Sequence, residues 1–135
     1  MEDSIWNKIT TSLKLGQKLE LLYMSKKSQA FIIHEINTDY IKIKFIDSSR
    51  YLRLDKSRFI SAWNYLNENK DSWVKIGSAR IYTKPNTLEG IIKKELNNNM
   101  SGLATATWIA AILVKVFDNI EFNNKSKGQA IRLIN

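Results

Sequence analysis

The chain of 135 residues carries 21 Lys and Arg against 13 Asp and Glu, giving a formal charge of +8 with 44% apolar residues and a sequence pI near 9.7. That is one domain's worth of chain or two very small ones, and one Pro and five Gly amid ordinary apolar content exclude a disordered basic tail. The absence of cysteine excludes disulfides, thiolate metal sites and a cysteine nucleophile, while a single His, His34, excludes His-rich metal sites and two-His mechanisms.

Met1-Glu2-Asp3-Ser4 opens with acids where a secretory signal would place Lys or Arg. Ile5, Ile9 and Leu13 then recur at spacing four, with Trp6 beside them, and predict a short amphipathic helix from Asp3 to Leu15 that Gly16 stops. From Gln17 the period changes to two. Lys18 to Tyr23 alternates and breaks at Ser25-Lys26-Lys27-Ser28. Ala30 to Ile36 and Tyr40 to Ile46, joined by Asn37-Thr38-Asp39, predict a hairpin. Its apolar face carries Phe31, Ile33, Ile41, Ile43 and Phe45, and the other face carries His34, Tyr40, Lys42 and Lys44. Asp47-Ser48-Ser49 turns into a fourth strand, Tyr51 to Leu54. Residues 1–54 therefore read as a helix plus a four-stranded antiparallel meander.

The pattern changes at Asp55, where Asp55 or Ser57 is placed to cap a helix running to about Asn69 with Phe59, Ile60, Trp63 and Leu66 on its buried side. Trp73 to Gly77 is a short strand, and Ser78 to Lys84 an irregular or extended link ending at Pro85. Asn86, with Glu89 three residues on, has the spacing of a reciprocal capping pair opening a second helix. That helix dissolves at Asn97-Asn98-Asn99. A third follows from about Leu103 to Phe117, and Ile120 to Phe122 pairs with Ala130 to Ile134 across a tip containing Lys125 and Lys127. The apolar run of the third helix, about 15 residues, is shorter than the roughly 20 needed to span a bilayer, so a buried helix or an interface is expected and no membrane partner; the lack of cysteine and of a secretory start suits a cytoplasmic protein.

The order helix, strand, helix, turn, helix, hairpin resembles a winged helix-turn-helix over residues 55–135, on element order alone. The long link from Ser78 to Asn86 departs from a compact version of that fold. The expected class is α+β, with the N-terminal helix and meander packed on this winged-helix-like half. Because helix-turn-helix modules place their last helix in the major groove, the resemblance puts Thr105, Thr107 and Trp108 at the groove, and Lys125, Lys127 and Arg132 on the hairpin. Thr and Ala can contact thymine methyls, but no Arg, Asn or Gln stands near the start of that helix, so strong readout of G·C-rich sites is not expected.

Catalytic signals are sparse. His34 and Glu35 are neighbours on a strand and point to opposite faces. Glu68-Asn69-Lys70 matches the Glu-x-Lys of metal-dependent nucleases but closes a helix, with no upstream carboxylate converging on it. The glycines are scattered, so no phosphate loop exists. The expectation is a non-enzymatic protein with no cofactor and no metal.

Charge carries more information. From Tyr40 to Arg58, six cations stand against two Asp, and from Lys70 to Lys94 six stand against Asp71 and Glu89. Positive charge on folded segments is the footprint of a nucleic-acid binder, and together with the winged-helix-like half it makes duplex DNA the expected partner, with DNA favoured over RNA. One candidate surface is the outer sheet face, where Tyr40, Lys42, Lys44 and Arg53 alternate aromatic and basic groups; the other is the winged-helix-like half, with Arg80 and Lys84 on its link. The competing account makes the charge compositional, given sixteen Lys, five Arg and thirteen Asn. The apolar third helix would then serve a protein partner, as an adaptor, while in a DNA binder the same helix would serve a homodimer. An apolar strand ending next to Asn135 also suits a module attached to a larger effector protein.

Overall fold

Alternation and helical spacing act together in the first half of the computed structural model, which describes residues 2–20, 30–46, 49–77, 86–97, 105–123 and 130–134. Helix α1 (Glu2–Ser12) buries Trp6 and Ile9, with Leu13 just beyond its end. It stops short of Leu15. Gly16 takes a φ of +83° and donates its N–H to the Ile33 carbonyl at 2.8 Å, drawing the chain onto the sheet. Strands β1 (Lys18–Leu19), β2 (Phe31–Ile36), β3 (Tyr40–Phe45) and β4 (Tyr51–Asp55) form an antiparallel sheet in the order β1-β2-β3-β4. This is the expected meander, although β1 is shorter than the expected strand, whose positions 21–23 lie outside the described residues.

Side-chain chemistry sets the register of the hairpin. The Asn37 side-chain oxygen accepts the N–H groups of Asp39 and Tyr40 at 2.8 and 2.9 Å, closing the three-residue loop. Phe31 lies opposite Phe45 and Ile33 opposite Ile43, facing the core. Strict alternation would then turn Ile36 outward. A bulge between Ile33 and Glu35 adds one residue to β2 and brings Ile36 back opposite Ile41. His34 is the extra residue, and it is exposed.

Helix α2 (Lys56–Glu68) buries Phe59, Ile60, Ala62 and Leu66. Its N-cap residue is Asp55, as expected, but the carboxylate makes no cap bond; it accepts from Arg53 Nε at 2.6 Å instead. There follow β5 (Val74–Lys75), α3 (Leu88–Asn97), α4 (Ala106–Val116), β6 (Ile120–Asn123) and β7 (Ala130–Leu133). The last two strands and β5 form a second antiparallel sheet in the order β5-β7-β6. Val74, Ile131, Ile120 and Leu133 face inward, while Trp73, Lys75, Glu121 and Arg132 lie on the other face.

The capping pair expected at Asn86 and Glu89 is not the one that forms. Thr87 caps α3, its hydroxyl oxygen accepting the Gly90 N–H at 3.0 Å. Glu89 turns to the next helix, where Oε1 accepts the Ala106 N–H at 2.9 Å, so a carboxylate from α3 caps α4. The chain passes so close to Thr87 that Gly77, at φ +69°, admits no side chain: a Cβ there would lie 2.3 Å from Thr87 Cβ.

One continuous core draws on both stretches of sequence, from Trp6, Phe31 and Ile43 to Phe59, Ile92, Ile112 and Ile131. Helix α4 runs through its middle, with Ile109, Ala110, Ala111, Ile112 and Leu113 all buried and α1, α2, α3 and β6 packed around it. Burial within one chain thus accounts for the all-round apolar character that suggested a partner. No helix among the described residues is long and apolar enough to cross a membrane.

Candidate nucleic-acid interface

Cross-strand pairing determines which side chains meet on the outer face of the meander. Lys42 stands between Glu35 on β2 and Arg53 on β4, Lys44 pairs with Tyr51, and Tyr40 pairs with Asp55. The groups interlock. The Tyr40 hydroxyl donates to Glu35 Oε2 at 2.8 Å, and the Asn37 amide donates to the same oxygen at 3.0 Å. The Arg53 guanidinium lies 4.2 Å from the centre of the Tyr40 ring. His34 packs on Tyr51 with ring centres 4.7 Å apart, and Tyr51 remains 49% exposed.

Electrostatically the face is mixed. Lys42 Nζ is 3.9 Å from Glu35, and Arg53 is paired with Asp55. The Tyr40 hydrogen bond, helped by that of Asn37, holds the Glu35 carboxyl below its ordinary pKa, so it stays ionised. The Asp55 carboxylate in turn pushes the Arg53 pKa up. Exposed pairs of this kind are screened by solvent and contribute little, so an arriving phosphate can exchange with either carboxylate at little cost. Lys44 has no carboxylate within ion-pair distance among the described residues.

The other predicted residues are placed differently. Thr105 and Thr107 are 0% and 6% exposed. The Thr105 hydroxyl accepts from Arg58 Nη1 at 3.4 Å, and Trp108 meets Phe45 of β3 edge-on, with ring centres 5.4 Å apart. The start of the third helix, expected to face a groove, is therefore covered by α2 and the meander. Arg132 lies on the solvent side of the small sheet, bonded to Glu121 at 2.7 Å. Arg80, Lys84, Lys125 and Lys127 lie outside the described residues.

Two features on this face were not read from the sequence, the coupling of Tyr51 to His34 and the central place of Glu35. The signal was present in the spacing of Phe31, Ile33 and Ile36, two residues and then three, which calls for the bulge that sets Glu35 opposite Lys42. Below the face, a cleft of about 510 Å³ is lined by Asp39, Asp55, Lys56, Asn64 and Glu95, among others. Ser61 donates its hydroxyl to Glu95 within it. Among the described residues no cluster of three His, Asp or Glu is arranged to hold a metal, and Glu68 is exposed at the end of α2. Comparison of the chain with family models, with curated proteins and with solved structures finds no match.

Proposed function

We propose that the protein is a non-enzymatic nucleic-acid-binding module that holds a strand through the outer face of its meander. The observation that carries this reading is the row of half-exposed rings and cations on that face: Tyr40 under Arg53, and Tyr51 packed on His34 and paired across the strands with Lys44. Bases stack on exposed rings and phosphates pair with the adjoining cations, a mode that tolerates any sequence. The strand order β5-β7-β6 supports the winged-helix resemblance of residues 55–135. Duplex reading by the third helix loses support, however, because Thr105 and Thr107 are buried. The favoured partner is accordingly an unpaired DNA strand rather than a duplex read in its major groove.

Three variants test the surface against an oligothymidylate and a mixed duplex. Tyr51→Ala should weaken single-strand binding by about 1–3 kcal/mol. Lys42→Ala/Lys44→Ala should lower the salt slope by about 0.7 for each lost phosphate contact. If Lys125→Ala/Lys127→Ala instead carries the whole loss, equally on both probes, the hairpin rather than the meander is the binding surface.

A further inference from the structure

Trp73 stands just before β5, on the solvent face of the small sheet, and is 41% exposed. The other three tryptophans, Trp6, Trp63 and Trp108, belong to the core or pack against it. Trp73 has no such place, so core packing does not account for a large ring in that position. What touches it is a cation: the Arg132 guanidinium lies 4.4 Å from the ring centre, and Glu121 accepts from Arg132 Nε at 2.7 Å.

This arrangement has the parts of a stacking site. Glu121 takes one of the five donors of Arg132 and fixes the side chain in place, leaving the remaining donors to face a phosphate. Lys75 of β5, exposed and two residues beyond Trp73, adds charge on the same side. The segment that joins β6 to β7 carries Lys125 and Lys127 in its sequence. An aromatic ring bordered by cations complements a polyanion that also presents flat, unpaired bases.

We infer that Trp73 and Arg132 form a second nucleic-acid contact, in which an unpaired base stacks on the indole while Arg132 and Lys75 hold the adjoining phosphates. The inference rests on the reading of the protein as a nucleic-acid binder, and it assigns to that function a residue outside the meander face.

The test compares wild type, Trp73→Ala and Trp73→Phe for binding to an oligothymidylate and to heparin, a polyanion without bases. Trp73→Ala should bind the oligonucleotide at least about fivefold more weakly than wild type, the low end of a stacking contribution, and heparin equally well. Trp73→Phe keeps a ring and should retain most of the affinity, which separates stacking from a folding defect. Equal oligonucleotide binding by wild type and Trp73→Ala overturns the inference and leaves the meander face standing. Equal losses on oligonucleotide and heparin also overturn it, because they identify a structural or purely electrostatic role. A wild type that binds neither probe overturns both the inference and the proposed function.

Discussion

Two glutamates show how position decides what a carboxylate does. Glu35, on the surface, is held ionised by Tyr40 and Asn37. Its contribution is present above the ordinary carboxylate pKa and fades as pH falls through the lowered one. Glu89 is the reverse case: burial pushes its pKa up, opposed by the Ala106 N–H and by Lys93, Thr105 and Arg58 around it. A raised folded pKa means the native state holds the proton more tightly, so that contribution is full below about pH 4.3 and is lost as pH rises through the raised value. Denaturant unfolding of wild type and Glu89→Gln from pH 4 to 8 checks the sign. The stability difference, wild type minus variant, should fall as pH rises out of the acid range and then level off. A difference that grows with pH would mean the Ala106 bond and Lys93 outweigh burial.

At the level of elements, α4 joins the two parts of the chain. Its first turn is capped by Glu89 from α3, and Trp108 at that end meets Phe45 from the meander. Trp108→Ala should therefore cost about 2–3 kcal/mol in denaturant unfolding, somewhat below the range for a fully buried tryptophan. A stable variant defective only in nucleic-acid binding would restore Trp108 to the surface role its position in the sequence suggested. Periodicity made the existence and kind of these elements legible: the spacing of Ile5, Ile9 and Leu13 marked α1, and the alternation from Tyr40 to Phe45 marked β3. Tertiary contacts set what it did not show. The bond from Gly16 to Ile33 ends α1 early, and Glu89 looks like a local cap because its spacing from Asn86 is right, while its actual partner lies 17 residues on. Thr105 and Thr107 read as surface residues because small polar side chains at a helix start usually are. Their burial follows from α2 and β3 closing over that end.

For the whole molecule, the two charged side chains fully buried among the described residues, Glu89 and Lys93, are of opposite sign and leave the excess of positive charge uncompensated. Arg53, Lys42 and Arg132 are each matched by one carboxylate, through pairs open enough to exchange. On the proposed reading, that charge, summed over the folded surface, draws a polyanion in, and the exposed rings determine which polyanion stays. If four to six cations engage phosphates of a single strand, each releases about 0.7 of a counterion. The measurement that tests this most directly is the affinity for an oligothymidylate as salt rises from about 50 to 200 mM. A log–log slope near −3 to −4, set by that count of contacts, is expected; affinity that stays flat across the range would contradict the proposed binding.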